Sequence, residues 1–129
     1  MKVLIVDDDR DVADSLAALV RVVLDYDVCV RYSGEDAIAT AGEYRPDAVI
    51  LDVNMPGVDG LQTARILKTD RRLARKAFIA HTADDGMFVR KVASRLGFHH
   101  VVAKGNTSDL SQLIDLLSIV EAGIRNGRR

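Results

Sequence analysis

Five polar side chains follow short apolar runs and carry groups that can do phosphoryl chemistry. Asp7 and Asp8 end the first run, Asp52 ends the third, and Thr82 and Lys104 end two weaker ones. If these chain segments converge, they bring together three carboxylates, a hydroxyl and an ammonium. Carboxylates can hold a hard cation, and one of them can attack phosphorus as a nucleophile.

The three acids predict a cation site. Carboxylates that lie close together repel, and the pKa of at least one is raised unless a cation intervenes. Oxygen ligands without His or Cys nearby favour Mg²⁺ or Mn²⁺ over zinc. A simpler interpretation is that Asp7 and Asp8 only cap the following helix, since acids stabilise helix N-termini, but it leaves Asp52 unexplained. Asp9 is expected to act only as a cap.

The apolar runs predict strands that are buried on both faces, as in a parallel sheet covered by helices. Four such runs, together with a more polar one typical of an edge strand, occupy residues 2–6, 27–31, 48–51, 77–80 and 101–103. Segments with helical spacing of apolar residues follow each of them. The alternation predicts an α/β, flavodoxin-like, doubly wound five-stranded parallel sheet of order 2-1-3-4-5 with five helices. The strand ends that carry the polar residues then share one edge.

Composition indicates a single domain. The chain has 129 residues and a net charge of −1, so no bulk attraction to nucleic acid or membrane is evident. The apolar stretch after Met1 is too short for a signal peptide or a membrane span. The one cysteine, Cys29, fits a reducing compartment and is expected to be buried and inert, so a cytoplasmic location is predicted. Residues 1–122 are interpreted as the domain and residues 123–129 as a basic, frayed tail.

Four sequence segments together resemble one known family. They read LIVDDD from Leu4 to Asp9, VILDVNMPGVDG from Val49 to Gly60, HTA from His81 to Ala83, and VVAKG from Val101 to Gly105. The chain resembles, over essentially its whole length, the receiver domain of two-component response regulators. Each segment alone is weak support, and the set is specific.

The resemblance implies a role for each matching acid. Asp52 would be the phospho-acceptor. Asp7 and Asp8 would join Asp52 in binding Mg²⁺, directly or through water, and Asn54 would offer its backbone carbonyl to the metal. A sensor histidine kinase or a histidine phosphotransfer protein would supply the phosphoryl group.

The resemblance also implies a switch, with two departures from the family pattern. Thr82 would be the switch hydroxyl, and Lys104 would contact the phosphoryl group. Phosphorylation would then change a partner surface on the fourth helix, fifth strand and fifth helix. The family usually has an aromatic residue where Val101 stands and a proline where Gly105 stands. The phosphoryl chemistry is therefore expected to be intact, while the output step is expected to differ.

Three functions remain open at this point. The first is a signalling receiver, which acts as a stand-alone regulator, a relay or phosphate sink, or a part of a hybrid kinase, and catalyses only its own phosphorylation and dephosphorylation. The second is a Mg²⁺-dependent phosphohydrolase, although Asn54 stands where such enzymes commonly carry a second carboxylate. The third is a non-phosphorylated pseudo-receiver that only binds partners, which loss of an acid, Thr82 or Lys104 would favour.

Other polar and apolar features are given simpler interpretations. The histidines at 81, 99 and 100 lack ligand spacing, so packing or surface roles are expected. The basic stretch 68–76 is interpreted as the solvated end of the third helix rather than a nucleic-acid site. Met87 and Phe88 either pack in the core or form an apolar patch for a partner.

Overall fold

The computed structural model describes residues 1–105 and 108–127 of the chain. Strands and helices alternate five times, as the sequence predicted. The elements are β1 (Lys2–Val6), α1 (Arg10–Leu24), β2 (Asp27–Arg31), α2 (Gly34–Tyr44), β3 (Ala48–Leu51), α3 (Gly60–Leu67), β4 (Ala77–Thr82), α4 (Met87–Arg95), β5 (His100–Ala103) and α5 (Asp109–Gly127). All strand pairs are parallel and the order is β2-β1-β3-β4-β5. The predicted flavodoxin-like fold is confirmed.

The sheet is covered by helices on both faces, which explains its continuous apolar strands. Alternate residues of a strand point to opposite faces. In β1, Leu4 and Val6 pack with α2, α3 and α4, whereas Val3 and Ile5 pack with α1 and α5. All four are essentially inaccessible to solvent. Burying a side chain of this size contributes about 1.5–3 kcal/mol each.

Side-chain caps fix where three helices begin. Asp9 accepts a hydrogen bond from the Val12 N–H at 3.2 Å, so its predicted capping role is present at the start of α1. Ser33 caps α2, and Asp59 caps α3 by accepting from the Gln62 N–H at 2.9 Å. Each cap satisfies a backbone donor that the helix leaves unpaired. The Asp59 cap also ends the loop that begins at Asp52.

Two details differ from the sequence prediction. Helix α5 continues without a break through residues 123–127, where a frayed tail was expected to begin, and residues 128 and 129 lie outside the described residues. Cys29 is half-buried on the edge strand β2, rather than fully buried.

No helix in the described ranges 1–105 and 108–127 combines the length and the apolar character that a membrane span requires.

Candidate functional site

The carboxyl ends of four strands meet at one edge of the sheet. The Asp52 N–H donates to the Val6 carbonyl at 3.0 Å, which joins the end of β3 to the end of β1. The Lys104 N–H donates to the Thr82 carbonyl at 2.9 Å, which joins β5 to β4 in the same way. The strand register therefore places these predicted site residues on a common edge.

The Lys104 ammonium lies between two buried carboxylates. Its Nζ is 2.7 Å from Asp7 Oδ2 and 2.9 Å from Asp52 Oδ2. The side chains of Asp7 and Asp52 are only 4% and 9% exposed, so water screens the contacts weakly. Removing the ammonium would leave two nearly buried carboxylates with backbone N–H donors but without the opposite charge of Lys104.

The site carries a surplus of negative charge. Burial raises the pKa of Asp7, and the adjacent charge of Asp52 raises it further, although hydrogen bonds from Lys104 and the Asp9 N–H oppose both effects. For Lys104, burial alone would lower the pKa, but its hydrogen bonds with Asp7 and Asp52 outweigh burial and the pKa is raised. The ammonium is thus held in its charged form while the acids still repel each other.

The acids fit a divalent cation. Asp7, Asp8 and Asp52 each offer a carboxylate oxygen, and these oxygens lie within 4.8 Å of one another. Asp8 is exposed, so the cluster is open to solvent on one side. Carboxylate oxygens are the ligands that Mg²⁺ prefers, and a cation would relieve the repulsion that contributes to the raised pKa of Asp7. Asn54 lies in the adjoining loop, where its backbone N–H donates to Asp52 Oδ1 at 3.1 Å.

A close backbone approach shapes the loop after Asp52. The Gly60 N–H donates to the Val53 carbonyl at 2.9 Å, which folds the loop back on its own start. A Cβ on Gly60 would lie 2.0 Å from the Asp52 carbonyl oxygen, closer than atoms can approach. Glycine at this position therefore allows the start of α3 to pack directly against Asp52.

Thr82 is fully buried at the end of β4. Its hydroxyl oxygen accepts a hydrogen bond from the Asp84 N–H at 3.1 Å, which leaves the O–H proton for another acceptor. On β5, Val101 is half-buried and packs against the apolar cluster beneath α2, α3 and α4.

Gly105 has a backbone conformation that proline cannot adopt. Its φ is +94°, whereas the proline ring fixes φ near −65°. Proline could therefore not replace Gly105 unless the path of the chain directly after Lys104 changed.

A hydrogen bond from a buried histidine next to the site was missed from the sequence. His81 is 2% exposed, and its Nε2 lies 3.0 Å from Asp109 Oδ2 on α5. Because side chains alternate along β4, His81 faces α1 and α5, whereas Thr82 faces the other way. The one indication in the sequence was a histidine in an otherwise apolar strand, which does not reveal a partner 28 residues away.

Residues 3–117 match the response regulator receiver domain. The chain belongs to this family. The predicted resemblance is thereby confirmed. The chain is a receiver domain of the kind that two-component signalling uses. Among curated relatives, the transcriptional regulatory proteins PrrA of Mycobacterium tuberculosis and Mycobacterium leprae are each 42% identical over 67 residues. That alignment covers 52% of this chain and 28% of each relative, so the chain spans only a fraction of those proteins.

Solved receiver structures share the fold over nearly the whole chain. The chemotaxis protein CheY4 of Vibrio cholerae superposes with a TM-score of 0.85 at 23% identity, covering 92% of this chain and 97% of that one. A putative response regulator from Chloroflexus aurantiacus superposes with a TM-score of 0.83 at 27% identity, covering 94% and 97%. These likenesses support the receiver fold independently of the sequence match.

Proposed function

We propose that this receiver domain takes a phosphoryl group onto Asp52 from a sensor histidine kinase or a histidine phosphotransfer protein. Mg²⁺ held by Asp7, Asp8, Asp52 and the Asn54 carbonyl would assist this transfer. The observation that carries the proposal is the nearly buried Asp52 carboxylate, which shares the Lys104 ammonium with Asp7 at the carboxyl edge of the sheet.

The transfer step replaces one bond to phosphorus by another. A carboxylate oxygen of Asp52 attacks the phosphorus, and the bond from phosphorus to the donor's imidazole nitrogen breaks, its electron pair remaining on that nitrogen. Asp7, Asp8 and Asp52 would hold Mg²⁺, which would supply positive charge to the phosphoryl oxygens. No proton has to leave Asp52, because the nucleophile is already a carboxylate.

Two side chains stabilise the phosphorylated form. Lys104 needs only a short movement from Asp52 Oδ2 to contact an oxygen of the phosphoryl group, because its Nζ starts 2.9 Å from that carboxylate. Thr82 donates its O–H to a second phosphoryl oxygen. Both contacts form only when the group is present, so phosphorylation shifts the population toward a state that contains them.

The exposed face of α4 is the proposed surface for a downstream protein, together with β5 and α5. Met87 and Phe88 are 74% and 77% exposed, so they lie outside the core and form an apolar patch. Lys91 and Arg95 are also exposed on this helix. A partner segment that combines apolar and acidic side chains would complement this face.

The competing phosphohydrolase function lacks a general acid at the expected position. Asn54 carries an amide there, which does not donate a proton as a carboxylic acid does. The pseudo-receiver function is disfavoured because Asp52, Thr82 and Lys104 are all present. A phosphorylated Asp52 is therefore expected to accumulate rather than turn over rapidly.

The test is phosphorylation by a small acyl phosphate in the presence of Mg²⁺, followed by intact-protein mass measurement. The wild type should gain one phosphoryl group, which hydroxylamine removes and a metal chelator prevents. Asp52→Asn should gain none. Asp59→Asn is the matched control, because it changes an acid in the same loop and asparagine caps α3 equally well.

A wild type that stays unmodified with donor and Mg²⁺, and also with kinases as donors, would contradict the proposal. Steady hydrolysis of small phosphate esters without an adduct would support the phosphohydrolase instead.

A further inference from the structure

Strand β2 lies at one edge of the sheet, so some of its backbone groups point away from the other strands. At its end, the Arg31 carbonyl accepts from the Asp7 N–H at 3.1 Å, and at its start the Asp27 N–H donates to the residue before β1. Both of these residues therefore direct their backbone groups toward β1. Because successive residues of a strand alternate in direction, the backbone groups of Val28 and Val30 point outward from the sheet.

Two arginine side chains occupy the outward carbonyls of β2. Arg21, on α1, donates from Nη2 to the Val28 carbonyl at 2.9 Å. Arg31 donates from Nη1 to the Val30 carbonyl at 2.7 Å, and its Nε donates to Thr40 Oγ1 on α2 at 2.8 Å. One guanidinium thus reaches the edge from each face of the sheet, since α1 and α2 cover opposite faces. We call these two side chains the edge guard.

Without the edge guard, the outer edge of β2 would be complementary to itself. Two copies of β2 that pair in antiparallel fashion about a two-fold axis place Val28 of one copy opposite Val30 of the other. This register joins the outward backbone groups of both strands in a hydrogen-bonded ladder. It also sets Asp27, at the acidic start of one strand, against the basic end of the other. An exposed strand edge is a ready template for pairing of this kind.

We infer that Arg21 and Arg31 close the β2 edge and thereby prevent antiparallel pairing of β2 with a second copy of this chain. An incoming strand finds both outward carbonyls already accepting hydrogen bonds from charged donors, which are stronger than the neutral bonds that its own N–H groups offer. Two approaching copies also bring their guanidinium groups together, and like charges repel. The inference does not depend on phosphoryl transfer, because the edge guard acts on the backbone of β2.

The first arm of the test measures self-association of the purified protein by sedimentation velocity at rising concentration. Arg21→Met combined with Arg31→Met removes both guanidinium groups and keeps apolar stems of similar length. This double variant should associate at least about tenfold more tightly than the wild type, because both outward carbonyls become free to pair. The matched control is Arg65→Met combined with Arg71→Met, which removes two equal charges from exposed positions outside β2 and should behave as the wild type.

The second arm locates the contact on β2. Adding Val30→Pro to the double variant without the edge guard should return its association to the wild-type level. Proline at this outward position removes an N–H that does not pair with β1, but it blocks an incoming strand. Amide hydrogen exchange at Val28 in the double variant should slow as the protein concentration rises, because this N–H enters the new ladder. In the wild type the exchange at Val28 should not depend on concentration.

Equal association of the double variant and the wild type would overturn the inference. Association that survives Val30→Pro, or that appears to the same extent in the control, would overturn it as well. If circular dichroism shows that the double variant does not fold, Arg21→Met alone decides the question, because it changes an exposed position on α1. It should associate more tightly than the wild type, and unchanged association would count against the edge guard. Adding Asp52→Asn should leave every one of these results unchanged, so they are independent of the proposed phosphoryl transfer.

Discussion

Lys104 has two carboxylate partners, and this shared contact explains how Asp7 and Asp52 can lie together while nearly buried. Its ammonium is within 3 Å of Asp7 and Asp52, which belong to different strand ends. The sequence predicted that these residues share an edge. It could not show that one ammonium serves both acids, because that depends on side-chain reach across three strands.

Asp7→Asn tests the surplus negative charge. An acid whose folded pKa is raised stabilises the fold below its unfolded pKa, and this contribution is lost as the pH rises through the folded pKa. At neutral pH the ionised Asp7 therefore costs stability. Without metal, Asp7→Asn should therefore raise the free energy of unfolding measured by urea denaturation.

Added Mg²⁺ should reverse the order of the two stabilities, because a cation held by the three acids as we propose would bind the folded wild type and stabilise it by mass action. Asp8→Asn, at an exposed position, should change the metal-free stability less. A metal-free Asp7→Asn protein that is less stable than the wild type would show that the pair with Lys104 outweighs burial and repulsion.

At the scale of elements, the start of α3 is pressed against the residue that we propose is phosphorylated. Gly60→Ala should destabilise the protein by about 2 kcal/mol or more, since the added Cβ would overlap the Asp52 carbonyl oxygen and no flexible side chain can yield. Phosphorylation of Asp52 should also slow. Thermal unfolding and the adduct rate measure the two effects.

Gly123→Ala provides the control for that substitution. Gly123 lies within α5 with nothing near its Cβ position. Alanine there should stabilise the protein by roughly 0.5–1 kcal/mol, because it lowers the entropy cost of the helix. Equal effects of the two substitutions would contradict the close approach at Gly60.

The far end of α5 is held by Tyr26, which gives a separate prediction at alkaline pH. Burial, followed by the hydrogen bond to Glu121, raises the pKa of Tyr26 from 10.0 to about 12. The stabilising contribution of its protonated form is complete below pH 10.0 and is lost as the pH rises toward about 12. Urea midpoints should therefore fall more steeply over this range in the wild type than in Tyr26→Phe. If the urea midpoints of the two proteins fall equally with pH, the stabilising contribution of protonated Tyr26 is excluded.

The order of elements could be predicted because apolar runs and capping residues are local properties. The runs at 2–6 and 48–51 matched strands, and the predicted Asp9 cap matched the start of α1. The His81–Asp109 contact and the positive φ of Gly105 could not be predicted, since they depend on how β4, β5 and α5 pack. The exposure of Met87 and Phe88 was likewise undecided until the orientation of α4 was known.

At the scale of the whole molecule, the two departures from the family pattern bear on how phosphorylation is transmitted. Val101 is half-buried and β-branched, so its side chain has few alternative rotamers. It cannot swing between buried and exposed positions as an aromatic ring can. Transmission is therefore expected to pass through Thr82 and the start of α4.

Amide hydrogen exchange with beryllofluoride, a phosphoryl mimic, tests this route. Exchange over residues 82–88 should slow when the mimic binds with Mg²⁺, because Thr82 then donates to it and the following turn becomes ordered. Exchange at Val101 should change little. The Asp52→Asn protein should show no slowing over residues 82–88. A slowing in the wild type that is centred on β5 instead would contradict the proposed route.

The central claim is that Asp52 is the residue that receives the phosphoryl group. Borohydride reduces an aspartyl phosphate to homoserine, so treating the phosphorylated protein and mapping its peptides by mass identifies the modified position. We predict homoserine at position 52 and at no other acid. Homoserine at Asp7 or Asp8, or its absence from a protein that carries the phosphoryl mass, would contradict the account.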